Sequence, residues 1–378
     1  MNTLLLLGAG ASIPAGMPSS HSLTRDAISH LEGEYKIIAE YVYSLIQTNR
    51  AEQSSFGSAL DEPIYIETLV NALSPWEDKS VDKDLFALVK EWQSVPSGLA
   101  DYYKHEKQMD YFKEHGTFEG MPESTREVRY RDDLQFYGRI TTSRLKAEVR
   151  KILSTREVLD LSFLNKAVEL CATGDLLVAT LNYDCTFEEA ATRLNMLESI
   201  NCSPYSDEDI SGRLIKAHGS INWLMSYEDE SIWNVNDVSP DEMDMREFQE
   251  ETFLLGGMHK LTYRQPFFDM YVELREKVKE VSNIIVTGYS FSDEHINYIL
   301  NSWLRLKPGG ERQLIVIDPN FLRSEPAELE YYFYGVDSYS DENVVEDETF
   351  EWVRTTESVI HIQSTVEEAL ELAINKYL

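Results

Sequence analysis

Cysteine is scarce in this chain, and the three present, Cys171, Cys185 and Cys202, form no Cys-x-x-Cys pair. Their spacing suggests neither a disulfide framework nor a zinc-ligand set, so no metal is expected. Long apolar runs are missing too. Nothing approaches the roughly 20 residues that cross a bilayer, and Leu4 to Leu7 is too short, with no basic start, for a signal peptide. A soluble, cytoplasmic protein is the expectation. Positive charge is in short supply, with 34 Lys and Arg against 66 Asp and Glu, a net charge of −32. Such a molecule repels phosphate at long range, so neither direct nucleic-acid binding nor a membrane surface is expected. Repeats, Pro-rich linkers and low-complexity tracts are absent as well.

What is present is enough for a large core: 378 residues, 43% of them hydrophobic, fit one large domain or two moderate ones. The opening segment, Leu4-Leu5-Leu6-Leu7-Gly8-Ala9-Gly10-Ala11-Ser12, reads as a buried strand breaking into a glycine turn. Glycine lets main-chain N–H groups approach an anion without a Cβ in the way. Further on, short runs of β-formers close on Thr180-Leu181-Asn182-Tyr183-Asp184, Lys216-Ala217-His218-Gly219-Ser220, Thr287-Gly288-Tyr289-Ser290-Phe291-Ser292 and Ile315-Val316-Ile317-Asp318-Pro319-Asn320. Polar or glycine residues at the ends of successive strands are what an open parallel sheet presents along its carboxyl edge, where such folds bind ligands.

Between the first strand and the second, the rhythm changes. A helix is expected from Pro18-Ser19-Ser20 through Leu31, and residues 32–156 read as a mostly helical insertion, with apolar residues at helical spacing such as Ile38, Tyr41, Val42 and Leu45. Residues 1–31 and 157–378 are read as the sheet domain. Within the insertion, Arg126, Arg129, Arg131, Arg139, Arg144, Lys146, Arg150 and Lys151 form the one basic concentration, read as a solvated helix face paired with Glu127, Asp132, Asp133 and Glu148. The α/β alternation resumes with helices Phe163 to Cys171, Thr186 to Leu194, Phe267 to Val281 and Asp293 to Leu306. They alternate with strands Leu176 to Leu181, Leu214 to Ala217, Ile284 to Thr287 and Leu314 to Ile317. An acidic, irregular stretch to about Glu250 interrupts them. A last strand, Val359 to Ile362, precedes a helix that Thr365 and Glu368 are expected to open as a capping box. Acid clusters at Ser206 to Asp209, Glu228 to Glu251 and Asp341 to Glu348 read as exposed loops or docking rims.

The order and identity of these motifs resemble the sirtuin superfamily. The resemblance rests on Gly8-Ala9-Gly10-Ala11-Ser12, Asn182-Tyr183-Asp184, His218-Gly219, Gly288-Tyr289-Ser290 and Asp318. It implies an α/β fold, a Rossmann-like parallel sheet with a mostly helical inserted domain and no zinc ribbon, and NAD as substrate. It also implies roles. Asn182 would hold water or the nicotinamide-ribose hydroxyls, Asp184 would bind the nicotinamide amide or balance developing positive charge, and His218 would act as general base. Gly8, Ala9, Gly10, Ala11, Ser12, Asn182, Asp184, Gly288, Ser290 and Asp318 would contact the dinucleotide. Ser12 and Asp184 have ordinary structural readings as caps, Asp184 as an Asx turn before Thr186.

Lysine-deacylating sirtuins carry four zinc cysteines and Asp-Phe-Arg after Gly-Ile-Pro; this chain has Ser19-Ser20-His21 after Gly16-Met17-Pro18 and no cysteine set. The likeness is therefore to the bacterial anti-phage branch, to which Lys260 to Phe267 and Thr287 to Ile296 also look similar. That branch hydrolyses NAD to nicotinamide and ADP-ribose, which implies an oligomeric enzyme restrained until activated, with a HerA-like DNA-translocating ATPase as a possible partner by analogy. A zinc-free deacylase or ADP-ribosyltransferase, and a non-catalytic NAD or ADP-ribose-binding scaffold, remain as alternatives.

Overall fold

The computed structural model describes residues 2–53, 63–73, 115, 117, 130–200, 213–226, 232–234, 248–249, 253, 267–306, 312–319, 344–345, 353–355 and 358–378. Cys202, Arg126, Arg129, the 206–209 acid cluster, residues 260–266 and Asn320 lie outside the described residues, as does most of the 228–251 and 341–348 acid stretches. The chain divides into two compact units, Met1–Ser19 with Leu153–Leu378, and Ser20–Ile152.

The first unit is built on a central sheet. Strands β1 (Thr3–Leu7), β2 (Leu176–Thr180), β3 (Leu214–Lys216), β7 (Asn283–Thr287), β8 (Gln313–Ile317) and β11 (Val359–Ile362) pair in parallel in the order β3-β2-β1-β7-β8-β11. Counting only these six in chain order, the arrangement is 3-2-1-4-5-6, that of a doubly wound Rossmann sheet. Two antiparallel strands, β10 (Val353–Thr355) and β9 (Val344–Val345), extend the β11 edge.

The continuous apolar runs follow from burial on both faces. Leu5 and Leu7 point with Val178, Ile285, Ile315 and Ile360 into one core, closed by α5 (Asn165–Thr173), α6 (Thr186–Arg193) and α10 (Val366–Tyr377). Leu4 and Leu6 point with Leu177, Ala179, Ile284 and Val316 into the other, closed by α8 (Phe267–Glu280) and α9 (Glu294–Leu306). All four leucines of β1 are buried, each contributing about 2 kcal/mol of hydrophobic stabilisation. Helix α5 stops at Gly174, whose φ of 85° turns the chain so that its N–H reaches Cys171 O and Asp175 N–H reaches Leu170 O.

Two local expectations need correction. The stretch before Glu250 is not wholly irregular: β4 (Trp223–Ser226), β5 (Ile232–Asn234) and β6 (Phe248–Gln249) form a small antiparallel sheet, seated by the buried Trp223. The capping box at α10 does not form. Thr365 makes no side-chain cap bond, and Glu368 accepts instead from Ser364 Oγ at 3.3 Å, which takes up its carboxylate.

The second unit contains α1 (Ser20–His30), α2 (Gly33–Gln53), α3 (Ile66–Leu73) and most of α4 (Tyr130–Thr155). Leu23, Ala27 and Ile28 of α1, Ile38 and Val42 of α2, Leu69, Val70 and Leu73 of α3, and Leu145, Val149 and Ile152 of α4 are among its buried residues at helical spacing. Of the basic concentration, Arg144 lies over the Tyr35 ring at 4.2 Å and Lys151 pairs with Glu148 at 3.7 Å.

Candidate functional site

In a sheet of this order, ligands bind at the carboxyl edge where the strand order reverses. Here that place lies between β1 and β7, and the glycine turns of both strands meet there. Gly8 N–H donates to Thr287 O at 2.9 Å and Gly10 N–H to Gly288 O at 2.8 Å. No side chain fits between them. A Cβ on Gly288, which has φ +66°, would stand 2.0 Å from Ala11 N, and one on Gly8 would stand 2.5 Å from Gly288 O. After Gly8 the chain turns through a short 3-10 segment, Ala9–Ser12, which carries Ser12 beneath the turn.

The end of β2 adds the polar cluster. Asn182 donates through Nδ2 to Gly8 O and to Ser12 Oγ, both at 3.0 Å, while its backbone N–H is held by Thr180 Oγ1 at 3.1 Å. Ser12 Oγ in turn donates to Asp184 Oδ1 at 3.2 Å, and the same carboxylate oxygen accepts Thr186 N–H at 2.9 Å. Asp184 is thus the Asx turn opening α6 as well as a member of the cluster. With both amide protons committed, Asn182 Oδ1 is left buried and without a hydrogen-bond partner among the described residues, as are Thr186 Oγ1 and Glu188 Oε2. These residues, with Ser12 and Asp184, line a cavity of about 10 Å³, room for a single water.

Lys216, at the end of β3, is fully buried, and its ammonium donates to Asp184 O and to Glu188 Oε1, each at 2.6 Å. A buried lysine in this position ties the β2 and β3 strand ends together. His218 follows two residues later, also buried, with its ring 6.2 Å from that of Tyr183 and 6.0 Å from that of Tyr271 between centroids. Its Nε2 lies 2.9 Å from Asp293 Oδ2. Burial, and then the Asp293 carboxylate, push the Tyr271 phenol well above its ordinary value, so it stays a proton donor.

The structure therefore joins Gly8, Ala9, Gly10, Ala11, Ser12, Asn182, Asp184 and Gly288 in one bonded or contacting group. The segment that carries His218 is tied to the β2 end by Ala217 N–H to Thr180 O and Ile221 N–H to Tyr183 O. Ser290 is exposed and donates to Ser292 Oγ at 3.0 Å. Asp318 closes β8, two strands from β1, with its N–H on Ile362 O. Sequence reasoning missed Lys216, Glu188 and Asp293. A lysine closing an otherwise apolar strand signals the first; Asp293 reads from sequence only as the start of a helix. Toward a dinucleotide this set offers a buried acceptor, Asn182 Oδ1, at the switch point, while the Gly8 and Gly10 N–H groups are spent on Thr287 O and Gly288 O.

Among the described residues no group of three or more His, Cys, Asp or Glu is gathered around a metal position, and no helix is long and apolar enough to cross a membrane. No curated protein matches the chain. Among solved structures, a Sir2 complex with p53 peptide and NAD+ aligns at 14% identity over 99% of this chain and 92% of that one, TM-score 0.40. A structure of Sir2Tm bound to a propionylated peptide aligns at 12% identity over 99% and 92%, TM-score 0.39. The family model for the SIR2-like domain matches residues 176–336, from β2 through β8, taking in Asn182, His218, Gly288 and Asp318. On that match residues 176–336 are similar to a SIR2-like domain.

Proposed function

We propose that this protein hydrolyses NAD at the nicotinamide-ribose bond, giving nicotinamide and ADP-ribose. The observation that carries the reading is the Asn182 amide, clamped by Gly8 O and Ser12 Oγ so that a buried, unpartnered Oδ1 remains at the switch point of a Rossmann sheet. When the C–N bond breaks, its electron pair leaves with neutral nicotinamide, and the sugar cation takes up water and loses a proton. Asn182 Oδ1 is suited to hold that water or a ribose hydroxyl, and Asp184 to balance the positive charge. His218 is suited to take the proton. Gly8 to Ser12, Gly288 and Ser290 would hold the pyrophosphate, and Asp318, roughly 10 Å across the sheet from β1, the adenosine ribose.

By family likeness we extend the reading to a cytoplasmic, oligomeric, NAD-depleting effector of anti-phage defence, activated with a partner such as a HerA-like ATPase. Residues 1–31 and 157–378 would serve as its catalytic domain and 32–156 as the inserted helical one. The test is nicotinamide release from NAD by the purified protein, alone and with the product of a neighbouring gene. Release without any acylated or acceptor protein, reduced at least about a hundredfold in Asn182→Ala and His218→Ala, is expected. Release that depends on an acyl-peptide or acceptor would move the assignment to a deacylase or transferase. Tight NAD binding with no turnover under any condition would make the protein a scaffold.

A further inference from the structure

The candidate base does not stand alone. Asp293 is buried at the start of α9 with its two carboxylate oxygens divided between two tasks. Oδ1 accepts the backbone N–H of His295 at 2.9 Å and of Ile296 at 3.3 Å, the bonds of a helix N-cap. Oδ2 faces His218 Nε2 at 2.9 Å and Tyr271 OH at 3.4 Å. The backbone of Asp293 is fixed as well: its N–H donates to Tyr289 OH at 3.2 Å, and that hydroxyl lies 2.9 Å from Asn297 Oδ1. Asn297 Nδ2 donates to the carbonyl of Phe291, a residue held at φ 56° in the same turn. An aspartate needed only as a cap requires none of this second framework.

We propose that Asp293 is the positioning residue for His218: its carboxylate, 2.9 Å from Nε2, holds the ring and favours the tautomer with the proton on that nitrogen. The assignment rests on the reading of His218 as general base. A carboxylate behind an imidazole selects one tautomer and stabilises the imidazolium that forms on proton uptake. Among the described residues, the groups beside this ring include Tyr183, Tyr271 and Asp293, of which Asp293 is the anionic acceptor. The same turn that carries Gly288 against the Gly8-Gly10 backbone also ends on Asp293, so one loop shapes the phosphate turn and aims the base.

The test is ¹⁵N NMR of the histidine rings in the full-length protein, with the His218 signals identified by their loss in His218→Ala. Wild type is expected in the Nε2–H form. In Asp293→Asn, which keeps an oxygen for the cap, the amide would donate to Nε2 and the ring is expected to switch to Nδ1–H. Nicotinamide release should fall about 10²- to 10⁴-fold with NAD affinity changed less than about twofold. Should Asp293→Asn not fold, Asp293→Ser retains a cap without the carboxylate and should lower the Nε2–H population. A wild-type ring in the Nδ1–H form, or a tautomer indifferent to Asp293, overturns the proposal. If the tautomer switches but wild type releases no nicotinamide under any condition, the positioning role stands and the hydrolase reading falls.

Discussion

Gly288 and Asn182 show how little freedom single residues have at the strand ends. An alanine at 288 would need both a left-handed backbone and a Cβ 2.0 Å from Ala11 N, so Gly288→Ala is expected to cost more than about 3 kcal/mol. Chemical denaturation of the purified variant measures it. Asn182→Asp would turn a carboxylate oxygen toward Gly8 O, where the wild type donates. A loss of about 1–3 kcal/mol of stability is expected, together with loss of nicotinamide release. The strand-end placement of Asn182, His218 and the glycines was legible in the sequence, because runs of β-formers stop just before them. Asp293 was not, since its partner lies 75 positions earlier in the chain and its local signature is that of any helix cap.

Among elements, strand limits were legible to within a residue or so at β2, β3, β7, β8 and β11, since runs of Leu, Ile and Val buried on both sheet faces end abruptly where polar residues begin. The small sheet β4-β5-β6 was not, because its strands of two to four residues carry too few side chains for a period-2 pattern. Beyond the ladder and the backbone bonds of the loops, Lys216 also joins β2 to β3, spanning Asp184 O and Glu188 Oε1. Removing its ammonium strands a buried carboxylate, so Lys216→Met is expected to destabilise by about 3–5 kcal/mol. Adding Glu188→Gln should recover part of that loss, and a double-mutant cycle followed by thermal unfolding reads the coupling.

For the whole molecule, alkaline pH is the weak side. Burial pushes the Cys171 thiol up from 9.0 to about 12, and the Tyr271 phenol is raised above 10.0. Both groups hold their protons longer folded than unfolded, so their stabilising effect is complete below the unfolded pKa and is lost as pH rises above it. For Cys171 the window is pH 9 to about 12, with a slope of about 1.4 kcal/mol per pH unit. Melting temperature should therefore fall between pH 9 and 11, and less steeply in Cys171→Ala than in wild type, as calorimetry would record. A slope unchanged by that substitution would remove Cys171 from the account.

The place of β1 in the sheet also governs how the protein is made. The strand at the middle of the fold leaves the ribosome before either strand it pairs with, and Leu7 must wait for Thr180, 173 residues later, before its neighbour on one side exists. At about 5–20 residues per second, that is roughly 10–35 seconds of synthesis. Its other neighbour, β7, comes later still. Throughout, four consecutive leucines remain without a sheet to join. The nascent chain thus has a long interval in which a chaperone that binds extended apolar segments is its natural companion, and in which overproduction favours aggregation over folding.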